Sequence, residues 1–271
     1  MNSRIEATAR AKARSDLGRD AKKDFFYYLL NAKDPETNSG LSTPELWGEA
    51  NVLMIAGSDT TSTEMTSTIF YLVRNPSALA KATAEVREKF DDVEEIVSGG
   101  KLNELSYFKC CIDEAMRLAP AVPGALPRTV TSGFEIDGVF LPSGTDVGTP
   151  CYSIHRHASY YPSPNTFIPE RWIEGSRIDL DAEGEKGKWV VSKDDVELAR
   201  KAFCPFSVGP RGCIGKSMAL MEMRLTLARL LFLFDFEGGD KTGEDGNGDL
   251  AMVDHFTSQK TGPVVSVRRR V

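Results

Sequence analysis

The twelve residues FSVGPRGCIGKS, Phe206 to Ser217, decide how the rest of the chain is read. They set three glycines, a proline, an arginine and a single cysteine directly ahead of an apolar, helix-like segment. The start of a helix leaves backbone N–H groups without intrahelical partners, and its dipole favours negative charge. A thiolate at Cys213 would be stabilised there. Gly209, Gly212 and Gly215 permit close backbone approach to something large and flat. Phe206 offers a ring to pack on it, and Arg211 a charge for its acidic groups. A disulfide needs a second cysteine, and structural zinc takes four protein ligands. A single axial thiolate suits haem iron, whose in-plane ligands come from the macrocycle. Cys213 alone would equally suit a buried turn, so the surrounding chain has to decide.

The chain has 271 residues, 41% hydrophobic and 27% charged, which suits a globular body with a sizeable core. A formal net charge of -6 excludes a general nucleic-acid surface. Basic character is local, between Arg4 and Lys23 and at Arg268, Arg269 and Arg270. Five scattered cysteines make no disulfide framework and point to a reducing compartment. The most apolar runs, NVLMIAG and LARLLFLF, are too short to cross a bilayer. The opening MNSRIEATARAKARSD reads as the middle of a charged helix, a possible truncation scar.

Arg4 to Lys33 reads as helical, and DPETNSG as a loop. Ser42 with Glu45 three residues on predicts a helix start, and Asn75-Pro76 its end, giving a helix over 42–74 of roughly 45 Å. A second helix spans Ser77 to Phe90, and a third covers 103–119 before Pro120. FEIDGVFLPSGTDV alternates around Asp137-Gly138, a hairpin signal. Cys151 to Ser176 reads as ordered loop or very short helices, Gly184 to Asp194 as an exposed insertion. Residues 214–234 predict a long, buried, nearly all-apolar helix. The glycine-rich 238–249 region is a surface loop, and GPVVSVRRRV a closing strand.

Phe206, Gly209, Arg211, Cys213 and Gly215 match the Phe-x-x-Gly-x-Arg-x-Cys-x-Gly signature of haem-thiolate monooxygenases. From about Asp24 onward the chain resembles the C-terminal half of the cytochrome P450 family, of the eukaryotic microsomal and fungal type. The resemblance implies a mainly α fold with small β-sheets, one partial domain over 1–271, and a haem-thiolate loop at 206–215. It implies haem b, with Cys213 as axial iron ligand and Phe206, Gly209, Arg211 and Gly215 shaping the loop. Arg128, with Arg211, would meet the haem propionates. His155 is either a further propionate contact or a loop histidine bonded to backbone; nothing marks His157 or His255 as a metal ligand.

Inside NVLMIAG begins GSDTTST, a polar notch in an apolar helix. Glycine is unfavourable there, and Ser and Thr hydroxyls loosen the helical ladder. It resembles the family's Ala-Gly-x-Asp-Thr-Thr motif, carried by Ala56, Gly57, Asp59, Thr60 and Thr61. The resemblance implies that Thr60 steadies an ordered water where dioxygen binds and that Asp59 relays protons. A polar strip facing solvent is the plainer alternative. Glu114 and Arg117, three apart on one helix, share a face. EAMR and the later PERW, Pro169 to Trp172, resemble the family's Glu-x-x-Arg and Pro-Glu-Arg-Phe segments, so Arg171 would complete a Glu114–Arg117–Arg171 cluster.

The family's chains are about twice this length, and the resemblance implies that the upstream half carries the membrane anchor and most of the substrate pocket. The chain alone is therefore expected to hold haem poorly. Implied partners are dioxygen, a small apolar organic substrate, and an NADPH-cytochrome P450 reductase steered to Lys201, Arg211, Lys216 and Arg224. Val122 to Leu126 and the chain near Leu53 would line part of the pocket. The implied setting of the intact protein is the endoplasmic reticulum membrane. A catalytically inactive haem-binding or scaffold fragment of the same fold remains the alternative.

Overall fold

The computed structural model describes residues 24–180, 187–238, 241–245 and 248–270. The basic stretch before Lys23 therefore lies outside the described residues, as does part of the Gly184–Asp194 insertion. The chain divides into two units, Met1–Ser58 and Asp59–Val271. In the first, helix α1 (Phe25–Asn31) starts on Asp24, whose carboxylate accepts the Tyr27 N–H. Helix α2 (Thr43–Arg74) contains the boundary between the units. At its start the Glu45 carboxylate accepts both the backbone N–H and the hydroxyl of Ser42, each at 2.7 Å. That is one arm of a capping box.

The second unit is built on four helices. After α2, α3 (Pro76–Lys89) opens on proline, whose missing N–H costs nothing at a first helical position. A short turn α4 (Gly100–Asn103) precedes α5 (Ser106–Leu118), and α8 (Lys216–Leu233) comes late in the chain. Phe70 and Leu72 of α2, Ala82 and Val86 of α3, Phe108, Ile112 and Met116 of α5, and Met223, Leu227 and Leu231 of α8 form one core cluster.

The helix expected over 103–119 is broken at Glu104–Leu105. Glu85 of α3 explains the break: its carboxylate accepts the N–H groups of Tyr107 (3.1 Å) and Phe108 (2.7 Å), capping α5 from another helix. Arg87 of α3 donates to the carbonyls of Leu231 and Phe234 at the end of α8.

Between α5 and α8 the chain forms small elements: α6 (Cys151–His155), a 3-10 turn at Pro169–Trp172, and α7 (Lys193–Ala202), started by a full Ser192–Asp195 capping box. Among the described residues there are five two-stranded antiparallel sheets. They pair β1 (Arg128–Thr129) with β4 (Asp146–Val147), β2 (Phe134–Ile136) with β3 (Val139–Leu141), and β5 (Arg177–Leu180) with β6 (Gly187–Val190). The others pair β7 (Phe234–Gly238) with β10 (Val265–Arg269) and β8 (Met252–His255) with β9 (Thr257–Lys260). Asp137 and Gly138 take φ of 49° and 78°, the two left-handed positions of a tight hairpin turn. The mainly α fold with small β-sheets is thus observed. Part of the polar insertion proves to be structured, as β6 and the start of α7.

Candidate active site

Phe206 packs against the helical core, and its carbonyl accepts the Cys213 N–H at 2.8 Å. Between them the chain makes a 3-10 turn over Gly209–Arg211, closed by the Gly212 N–H on the Gly209 carbonyl at 3.0 Å. Gly209 has φ +72°, a conformation that glycine adopts without steric cost. Cys213 lies three residues ahead of α8 and is exposed. In the same loop Val208 is 72% exposed and Ile214, the next residue, is 100% exposed. Helix α8 is not buried throughout as its composition suggests. Met218 and Met221 are exposed, and only Met223, Leu227, Ala228 and Leu231 are fully buried.

On the core side, Glu114 is completely buried and accepts five hydrogen bonds. Arg117 Nε and Nη2 donate at 3.0 and 2.8 Å, Arg171 Nε at 2.9 Å, the Ile168 N–H at 3.0 Å and Trp172 Nε1 at 3.0 Å. Arg117 also donates to the carbonyls of His155 (2.7 Å), Pro164 (2.6 Å) and Thr166 (3.2 Å). Arg171 reaches Pro162 (2.8 Å) and Ser163 (3.2 Å). Burial alone would raise the Glu114 carboxyl, but Arg117 and Arg171 outweigh it and hold the group at about 2. The knot ties α5 to the irregular stretch that leads to the Cys213 loop.

On α2, Asp59 and Thr60 are half-buried. The hydroxyls of Ser62 and Thr63 bond back to the Asp59 carbonyl at 3.0 and 2.8 Å. A Cβ on Gly57 would meet no atom within 4 Å. A cavity of about 510 Å³ lies against Asp59, lined also by His255, Thr257, Ser258, Gln259 and Lys260. Its walls are polar and come largely from the β8–β9 hairpin, a contribution that the sequence reading missed. One turn further along α2, Glu64 is buried and accepts the Ala121 N–H at 2.6 Å. Burial pushes its carboxyl up to about 8.

The sequence profile described as "Cytochrome P450" matches residues 4–253. The chain belongs to the cytochrome P450 family. Cytochrome P450 monooxygenase AKT7 of Alternaria alternata is 37% identical over 263 residues, covering 92% of this chain and 48% of that protein. Cytochrome P450 monooxygenase apf7 of Gibberella fujikuroi is 40% identical over 273 residues, covering 96% of this chain and 49% of that protein. Cytochrome P450 monooxygenase apf8 of the same organism is 38% identical over 254 residues, covering 90% and 66%. The chain thus spans about half to two thirds of the length of these fungal relatives.

In this cytochrome P450 chain, Arg128 is exposed and its guanidinium donates to the carbonyl of Pro127 at 2.9 Å. Arg211 is also exposed. His155 is buried, and its Nε2 accepts the Cys204 N–H at 2.9 Å, which makes it the backbone-bonded histidine of the two readings. With Cys151 and Cys204 it forms a group whose ligand atoms lie within 4.8 Å of one another, close enough to hold a metal ion and separate from Cys213 in sequence. Cys151 and His155 stand four apart on α6, a helical spacing that hints at the pair; Cys204 joins only through the fold. Trp172 stands where the family's segment has phenylalanine, and its indole N–H bonds Glu114, which phenylalanine has no donor to do.

Proposed function

We propose that this chain is the haem-binding, catalytic portion of a monooxygenase that places one oxygen atom of dioxygen into a small apolar organic substrate. The observation that carries the reading is the presentation of Cys213: an exposed thiol at the head of α8, between Val208 and Ile214, with its backbone tied to Phe206. One soft donor in a loop with exposed apolar side chains fits haem b, a flat and largely apolar macrocycle whose iron would take a protein thiolate. When bound, the haem supplies the iron at which dioxygen is activated.

The protein's own part is positional. Cys213 would supply a thiolate to the haem iron. Phe206 anchors the loop on the core and Gly209 allows its turn; Gly215 leads it into α8. The exposed guanidinium groups of Arg128 and Arg211 are free to turn toward haem carboxylates. Asp59 stands at a polar cavity that admits water, as a proton relay to Thr60 requires. The Glu114 knot holds the segment ahead of the loop. Arg211 and Lys216, which flank Cys213 in sequence, and Lys201 of α7 are all exposed and offer positive charge to an acidic NADPH-cytochrome P450 reductase. On this reading the intact protein works at the endoplasmic reticulum membrane. Among the described residues no helix is long and apolar enough to cross a bilayer.

The test is the reduced, carbon-monoxide difference spectrum of the haem-supplied chain and of its Cys213→Ser variant. A weak thiolate signature in the first, in keeping with poor haem retention by the chain alone, and its complete loss in the second are expected; identical spectra would overturn the assignment. Haem binding without NADPH-driven oxygen consumption in the presence of reductase would leave a haem-binding scaffold instead.

A further inference from the structure

We propose that Cys151 and Cys204 form a reversible, peroxide-driven disulfide at the root of the Cys213 loop. The proposal stands on these residues and their surroundings and does not require haem.

The geometry favours thiol chemistry over metal binding. Cys151 Sγ stands 3.5 Å from Nε2 and 3.6 Å from Nδ1 of His155. A sulfur equidistant from both ring nitrogens lies over the imidazole, not along either in-plane lone pair. Nε2 already accepts the Cys204 N–H, and the ring stacks on Phe203 at 5.4 Å. The lone pair that a soft metal would need is therefore engaged, and the ring is held by packing. The Cys151 thiol donates to the Cys204 carbonyl at 3.6 Å, and the Cys151 and Cys204 sulfurs lie within 4.8 Å of each other. Side-chain rotation has to close that gap to the ~2.05 Å of an S–S bond.

The two sulfurs are also unequal. Cys204 is half-buried, and the adjacent Cys151 thiol, followed by His155, holds its thiol below the ordinary range. Cys151 is buried and pushed up by its bond to Cys204 and by desolvation. Burial likewise pushes Cys110 up to about 12 and Cys111 well above the ordinary thiol range, so neither competes.

Hydrogen peroxide is the oxidant. The Cys204 thiolate attacks one peroxide oxygen; an S–O bond forms, the O–O bond breaks, and the departing hydroxide takes up a proton to leave as water. Cys204 is then a sulfenic acid. The Cys151 sulfur attacks it; the S–S bond forms, the S–O bond breaks, and the Cys151 proton leaves with that oxygen as a second water. Two thiols and one peroxide become one disulfide and two waters. Cys204 lies two residues ahead of Phe206, whose carbonyl holds the Cys213 N–H. Cys151 lies on α6, which the Glu114 knot grips through the His155 carbonyl. The crosslink therefore fastens the loop's incoming strand to that knot.

The chain, together with a Cys213→Ser variant that removes the exposed competing thiol, is exposed to hydrogen peroxide. It is then unfolded in a thiol-blocking reagent and digested without reductant. The expected product is a peptide pair joining Cys151 to Cys204, lighter by two hydrogens than its thiol forms and released by dithiothreitol. Cys110 and Cys111 stay fully blocked. Cys151→Ser is expected to leave Cys204 as a dimedone-reactive sulfenic acid, and Cys204→Ser to abolish oxidation at Cys151. Three results overturn the proposal: both thiols remaining blockable while peroxide consumes Cys213 in the unsubstituted chain, Cys204 joining Cys213 instead, or zinc ion alone shielding Cys151 and Cys204 with no crosslink under peroxide.

Discussion

Glu114 and Glu64 are both buried carboxyl groups in the same unit, yet they stand in opposite charge states at neutral pH. Glu114 faces two guanidinium groups and two further hydrogen-bond donors, and is held ionised at about 2. Glu64 faces one backbone N–H at 2.6 Å and a distant Ser67 hydroxyl at 3.5 Å, and burial leaves it neutral up to about 8. Lys260, the nearest cation acting on it, gives its own hydrogen bond to Thr63 at 2.7 Å. Desolvation acts on both; full charge pairing answers it at only one. The Glu114 knot is thus a fixed anchor for the segment ahead of the Cys213 loop, whereas Glu64 is a titrating group one helical turn from Thr60.

The sharpest way to break that comparison is Glu114→Ala. It strands two buried guanidinium groups, so unfolding stability should fall by about 3–5 kcal/mol, with haem incorporation lost as well. Urea denaturation and the haem spectrum check both; a fully haem-loaded, equally stable variant would remove the anchor from the account. Trp172→Phe leaves the ring but deletes one donor to a buried charge, with an expected cost of about 2 kcal/mol. A loss no larger than that of a surface substitution would mean the indole N–H contributes only volume.

The folded-state Glu64 value is raised, so its contribution to stability is full below its ordinary value near 4.5 and drains away as pH rises toward about 8. Glu114 is depressed, and its contribution is full above 4.5 and is lost as pH falls toward about 2. Each limb should approach about 1.4 kcal/mol per pH unit at its steepest. Glu64→Gln should flatten the alkaline limb and leave the acid limb intact, as followed by urea midpoints across that range. The smallest stability effect is expected at Cys213→Ser. The side chain is exposed, and the change should stay within about 0.5 kcal/mol while the haem-thiolate signal vanishes.

Much of the fold was legible in local chemistry. Asn75-Pro76 marks the end of a helix, and Asp137-Gly138 a hairpin, because proline lacks an N–H and glycine accepts positive φ wherever they stand. The family, too, was legible, since the spacing of Phe206, Gly209, Arg211, Cys213 and Gly215 is a property of the chain alone. Other features were not. Helix α5 begins at Ser106 because Glu85, on another helix, caps it. Helix α7 carries its own capping box at Ser192, yet its polar start reads as an insertion.

The sequence by itself determined the family, the mainly helical class and the cysteine loop, because those rest on residues near one another along the chain. Only the tertiary structure decided that Trp172 donates to Glu114, that Glu64 is buried beneath Ala121, and that Cys151, His155 and Cys204 meet. These are through-space effects between segments as much as 58 residues apart. Burial and charge pairing depend on what surrounds a group on every side, and no local spacing encodes that.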